Sequence, residues 1–233
     1  MRKILFLFFM LGTGFVTQAN PKSEELIRML NRKFQPVQDY TAQVKMHFSI
    51  PGVKMNDLSG KVYYRKPDHF KIKAKGIFFM PKQNPMQYIQ SLLLDTASYT
   101  TIISGYENFH GKACAILNII PLQSQSDLIL GKFWITLMDP LLLKSQITTR
   151  SNGTLESEHF YDSQTAYGLP SRLKINLEMK KIRMAKMMAA GLNKKATPRE
   201  DQERLEKGNI EIWFNNYRIN SKFSQQEMDA EPE

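Results

Sequence analysis

Cysteine is almost missing from this chain: Cys114 is the only one in 233 residues. That excludes an internal disulfide and any cysteine-built zinc site. Histidine is nearly as scarce. His47, His69, His110 and His159 are scattered, and no two stand at the i, i+4 spacing of a helical metal pair. No Gly-x-Ser-x-Gly elbow and no glycine-rich phosphate loop occurs, so no catalytic residue, cofactor site or metal ligand is nominated. The acidic pair Glu156 and Glu158 sits on alternate positions of one strand. Glycoside chemistry needs two carboxyls facing each other across a cleft, so this pair reads as surface. No Pro/Gly/Ser linker interrupts the chain, which predicts one domain. No apolar run reaches the ~20 residues that cross a bilayer in a helix.

What the chain does have is alternation. Tyr40, Ala42, Val44, Met46, Phe48 and Ile50 are separated by Thr41, Gln43, Lys45, His47 and Ser49. A two-residue period of this length predicts a strand with one buried and one wet face. The pattern returns in Gly60, Val62 and Tyr64, then in Phe70, Ile72 and Ala74 against Lys71, Lys73 and Lys75, with Lys66-Pro67-Asp68 as the reversal. The expected product is a curved or open antiparallel sheet whose apolar face needs a cover.

The N-terminus addresses location. Arg2-Lys3, the apolar run Ile4 to Leu11 and the small and polar residues ending in Ala19 follow the order of a secretory signal, with cleavage after Ala19. The alternative, a membrane anchor, requires a longer run. No cysteine lies near the cleavage point to carry a lipid, so the mature chain is expected to be soluble outside the inner membrane. Its charge, +10 for the whole sequence and two less once Arg2 and Lys3 leave, suits anionic headgroups or acidic proteins. Export argues against nucleic acid.

Further along, a helix is predicted at 22–34, with Glu24 and Glu25 near its positive end and Leu26, Ile27, Met29, Leu30 and Phe34 towards one side. Ile77, Phe78, Phe79 and Met80 run together into Pro81, which suits an apolar gate or rim loop or else a plain core strand. A short helix at 87–95 precedes strands near 98–104, 112–120, 132–138, 141–150 and 154–162. Asn152-Gly153 favours a tight hairpin; with Thr154 it also matches a glycosylation acceptor. The neighbours of Cys114, namely Ala113, Ala115, Ile116 and Leu117, place it in a buried strand rather than at a catalytic centre. Two more strands, at 172–179 and about 208–218, flank a basic, Met-rich insert, 180–207. The insert is either an amphipathic element that touches an anionic membrane or acidic partner, or a solvated insertion. Residues 221–233 read as a polar acidic tail.

The run Gly60 to Ile72, with its basic-Pro-acidic turn followed by an aromatic, resembles the early strand pair of the LolA-like periplasmic lipoprotein-carrier superfamily. Gly111 to Leu117 followed by Pro121, Trp134 to Pro140 with Leu142-Leu143-Lys144, and Asn152-Gly153, Phe160-Tyr161-Asp162 and Gly168-Leu169-Pro170 are similar to later family segments in the same order. The resemblance spans roughly residues 22–220 and treats 20–220 as the domain. It implies a mainly β fold with helices: a half-open antiparallel β-barrel of about eleven strands, with a helical plug or lid over an apolar cavity.

The implied function is a soluble periplasmic carrier that takes the acyl chains of lipoproteins, or a related lipid cargo, to the outer membrane. Inner- and outer-membrane transfer partners are implied with it. The physical reason is plain: each methylene kept from water is worth ~0.8 kcal/mol, and a lined cavity supplies that without covalent chemistry. The lipid-cavity candidates are Val44, Met46, Phe48, Val62, Tyr64, Phe70, Ile72, Leu173, Ile175, Ile212 and Phe214. An arginine that holds the lid is also implied, with Arg65 and Arg150 as candidates. A lipid- or lipoprotein-sensing module acting on a membrane partner, and a structural envelope protein with a filled core, are the alternatives.

Overall fold

The computed structural model describes residues 22–49, 56–67, 69–74, 89, 92–151, 153–180 and 205–229. The expected signal segment, the Ile77 to Met80 gate and the body of the basic insert lie outside the described residues.

Helix α1 (Ser23–Phe34) forms where the sequence places it. Glu24 and Glu25 occupy its first turn and Arg32 and Lys33 its last, each matching the helix dipole. Ten strands follow: β1 (Asp39–Ser49), β2 (Leu58–Arg65), β3 (His69–Ala74), β4 (Tyr99–Phe109), β5 (Lys112–Pro121), β6 (Leu128–Thr136), β7 (Leu142–Thr149), β8 (Gly153–Phe160), β9 (Arg172–Lys180) and β10 (Leu205–Ile219). A short helix α2 (Gln225–Asp229) ends the described chain. Among the described residues no helix is long and apolar enough to cross a membrane.

All ten strands join one sheet in the order β3-β2-β1-β10-β9-β8-β7-β6-β5-β4, every pairing antiparallel. The ten strands among the described residues agree with the expected half-open barrel of about eleven. The sheet is a meander except at one place, where the first strand pairs with the last; β3 and β4 stand at its two edges, so the sheet does not close. β1 alternates from Ala42 onward, with Ala42, Val44, Met46 and Phe48 buried and Gln43, Lys45, His47 and Ser49 exposed; at its start Tyr40 is buried as expected but Thr41, expected on the wet face, is buried too. At Gly60 a Cβ would stand 2.1 Å from the Lys73 carbonyl oxygen, so only glycine allows β3 this close.

Three strands run past their sequence-based limits, β6 by starting at Leu128 rather than 132. β4 was expected to stop near 104. Its register shifts between Ile103 and Gly105, which hides the continuation, and it then reaches Phe109 and turns through His110 and Gly111 at φ 50 and 76. β10 starts at Leu205 rather than 208, because Leu205, Glu206 and Lys207 pair with Lys180, Met179 and Glu178. The flanks of the basic insert are therefore ladder.

Candidate functional site: an apolar face with a polar seam

One face of the sheet carries two apolar clusters. The first gathers β1, β2, β9 and β10, with β3 packed against them. All eleven residues nominated from sequence meet there: Val44, Met46, Phe48, Val62, Tyr64, Leu173, Ile175, Ile212 and Phe214 buried, with Phe70 and Ile72 half-buried against them. The register explains the convergence, since Val44 faces Phe214, Met46 faces Ile212, Ile175 faces Ile210 and Leu173 faces Ile212. Aromatic rings close one end. Tyr40 stacks on Tyr64 with centroids 5.1 Å apart, Phe34 of α1 meets Tyr64 edge-on at 5.4 Å, and Tyr217 lies 5.6 Å from Tyr40.

The second cluster lies on β5, β6 and β7 and includes Ala115, Leu117, Ile119, Phe133, Ile135, Leu142 and Ile147. It is covered by Leu26, Ile27 and Leu30 of α1 and by Ile89, Leu92 and Leu93. Ile89 and Leu92 to Leu94 are helical, as the sequence suggests for 87–95. Sequence reasoning named none of these residues as site-forming. The cover is tethered by a few polar contacts. Ser23 Oγ donates to the Thr101 carbonyl at 3.2 Å, Asn31 Nδ2 to the Leu93 carbonyl at 2.8 Å, and Lys33 Nζ to the Thr165 carbonyl at 3.3 Å while pairing with Asp139 Oδ1 at 2.6 Å.

Between the clusters runs a polar seam. Ser145 on β7 and Ser157 on β8 are register partners, flanked across the sheet by Phe133 on one side and Ile175 on the other. Their hydroxyls are 2.7 Å apart, and Ser157 Oγ lies 2.9 Å from His159 Nε2. The three residues are 0%, 2% and 7% exposed. Burial pushes the His159 imidazole down to about 4, so it is neutral at pH 7. His159 borders a cavity of about 90 Å³ beneath the C-terminal half of α1. Leu30, Phe34, Tyr40, Leu93, Leu142 and Tyr161 are among the other lining residues. Burial also raises the phenols of Tyr40, Tyr161 and Tyr217 above their ordinary range. Tyr161 donates to the Leu142 carbonyl at 2.9 Å and Tyr217 to the Pro170 carbonyl at 2.8 Å. The seam was illegible in sequence, because polar residues on alternate strand positions look like a wet face. The one available signal is that Ser157 and His159 share their face with the apolar Leu155.

The opposite face is the wet one. Glu156 pairs with Lys144 at 2.9 Å and Glu158 Oε2 lies 3.1 Å from His110 Nε2, so each carboxylate has its own partner and the two do not face each other across a cleft. Cys114 is fully buried beside Trp134, Leu141 and Leu143, and burial pushes its thiol up. Among the described residues neither candidate arginine is bonded to the cover. Arg65 donates to the Phe223 carbonyl and to Gln225 Oε1 at 3.1 Å and lies over the Phe223 ring, while Arg150 holds the carbonyls of Ser124 and Ser126. Arg65 thus fastens the C-terminal segment to the outside of β2, where Phe223 and Met228 pack on Tyr63.

Together these features define a half-open antiparallel sheet with a helix laid over one apolar half of its inner face. Solved structures share that architecture. A LolA-superfamily protein from Nitrosomonas europaea matches with a TM-score of 0.53 at 9% identity, over 90% of this chain and 98% of that one. A DUF1329-family protein from Desulfovibrio piger matches with a TM-score of 0.52 at 14% identity, over 91% and 98%. A domain assigned to outer-membrane lipoprotein sorting, from Vibrio parahaemolyticus, matches with a TM-score of 0.51 at 10% identity, over 88% and 95%. No protein-family model matches the sequence, nor does any curated protein. The chain has the LolA-like fold, an antiparallel sheet that does not close into a barrel.

Proposed function

We propose that this protein is a soluble periplasmic carrier that shields the acyl chains of a lipoprotein, or of a related lipid, on the inner face of its sheet and passes them towards the outer membrane. The observation that carries the reading is the convergence of all eleven nominated residues into one apolar cluster, beside a second cluster covered by a helix on a few polar tethers. A cavity of about 90 Å³ is well below the ~300 Å³ at which ligand sites begin. Loading therefore requires α1 to lift. Each methylene that then leaves water contributes ~0.8 kcal/mol, so a few carbons offset the loss of surface-type tethers worth about 1 kcal/mol each.

In this reading residues 1–19 are the export signal, 20–220 the carrier domain and 221–233 a tail. Ile77 to Met80 form its rim, and the insert 180–207 touches an anionic membrane surface or a transfer partner. Export makes nucleic acid a poor partner, and binding requires no catalysis or cofactor.

Native mass spectrometry of residues 20–233 purified from a bacterial periplasm is the test. A co-purified lipid or acylated peptide, or uptake of a fluorescent fatty acid, is the expected result. A clean apo mass with no uptake overturns the carrier in favour of a structural protein with a filled core.

A further inference from the structure

The seam sits in an odd place for a carrier of hydrocarbon. Ser145, Ser157 and His159 are buried polar groups in the middle of an apolar face, where serine and histidine each cost free energy unless fully hydrogen-bonded. The bonding is incomplete at one point. Ser145 and Ser157 satisfy each other, Ser157 satisfies His159 Nε2, and Nδ1 of the same ring makes no hydrogen bond among the described residues without being fully buried, so it is the one ring nitrogen open to a ligand or water.

Proton bookkeeping fixes the direction of this chain. If Ser145 donates to Ser157 and Ser157 donates to Nε2, both hydroxyl hydrogens are used, and the imidazole carries its proton on Nδ1. In the reverse direction Nε2–H donates to Ser157 and Ser157 to Ser145. The Ser145 hydrogen is then stranded in a site with 0% exposure, and Nδ1 lacks a donor as well. The first arrangement strands no fully buried group, whereas the second strands the Ser145 hydrogen. The ring therefore offers an N–H donor at the wall of the cavity under α1.

We infer that this donor receives the carbonyl oxygen of an acyl ester or amide, so that His159 fixes where the polar end of the ligand stops and the hydrocarbon begins. The inference rests on the carrier reading and names the chemical class the same site selects. The dimensions agree. A cavity of about 90 Å³ falls short of the ~300 Å³ of a whole-ligand site, so it takes the polar end of a ligand rather than its chain. The chain itself runs over the apolar clusters on either side of the seam. A neutral imidazole N–H suits a neutral carbonyl, and the apolar lining from Leu30, Phe34, Leu93 and Leu142 strengthens a hydrogen bond made there.

The test uses the exported protein and two probes of equal chain length, a 16-carbon acyl methyl ester and the matching alkyl methyl ether, each displacing a fluorescent hydrophobic dye. Wild type is expected to bind the ester about tenfold more tightly than the ether, the worth of one buried hydrogen bond. His159→Phe brings the ester-to-ether affinity ratio, read within the variant so that any change common to both probes cancels, towards one; His159→Gln, which keeps a donor, restores part of it. Equal affinity of wild type for the two probes overturns the inference while the carrier reading stands, as does an equal loss for both in His159→Phe. Failure of wild type to take up either probe overturns the carrier reading itself, and the inference with it.

Discussion

Lys33 Nζ lies 2.6 Å from Asp139 Oδ1, which joins the last turn of α1 to the turn between β6 and β7. The lysine side chain is 15% exposed and the aspartate 71%, so the pair spans the margin between the cover and water. Together with Asn31 and Ser23 it tethers a helix whose apolar side rests on the second cluster.

A tether half in water contributes little to stability, and in the proposed carrier it would set how often the cover opens. Lys33→Met keeps the packing of the stem and is expected to lower stability by no more than about 1 kcal/mol. Stopped-flow uptake of a fluorescent fatty acid should become roughly two- to fivefold faster as the cover opens more often. Unchanged uptake kinetics with the same equilibrium binding would show that α1 does not gate the face.

Acid should loosen the fold through His159. Its folded value, about 4, lies below the ordinary 6.5 because burial disfavours the imidazolium. The unfolded chain therefore binds more protons between those two values, and stability falls as pH drops from about 6.5 to about 4. The full effect of this one group is about 3 kcal/mol. Urea midpoints between pH 7.5 and 4.5 check it. In His159→Phe this part of the slope should vanish, and a slope identical to wild type would refute the assignment.

Phe133 is fully buried on β6, in the cluster under α1. Phe133→Ala is expected to cost about 3–5 kcal/mol in chemical unfolding, the range for a large core side chain truncated without collapse of the site. A loss below 1 kcal/mol would mean that α1 settles into the space.

The C-terminal segment is a clamp on the outer face. Arg65 lies 4.6 Å from the Phe223 ring centre, and Lys61 Nζ is 2.9 Å from Glu227 Oε1. Phe223→Ala should cost about 2 kcal/mol from lost burial and the lost cation–π contact. Amide exchange should speed up most in β2 and β3, the edge pair this segment covers. Acceleration spread evenly over the sheet would argue against a local clamp.

Cys114 should resist a thiol reagent in the folded protein and react at once in denaturant, because it is buried and its raised pKa leaves little thiolate. Labelling under native conditions at the unfolded rate would place the thiol at the surface.

Alternation along β1, β2, β9 and β10 was enough to name the residues of one inner cluster. Side-chain direction in a strand is a local property with a period of two, and the apolar positions of Val44 to Phe48 or Ile210 to Phe214 state it without reference to any partner. The N-terminal helix was legible for the same reason, from its charges and spacing. The pairing of β1 with β10 was not, since it joins residues far apart in sequence and depends on which strand edges remain free once every local hairpin has formed. That one long-range pairing sets Val44 against Phe214 and Met46 against Ile212, and so turns separate stripes into a single face. The tertiary structure alone also placed α1 over the second cluster and turned Ser145, Ser157 and His159 inward. A strand's sequence says which residues share a side; only the neighbouring strands and the helix above decide whether that side meets water.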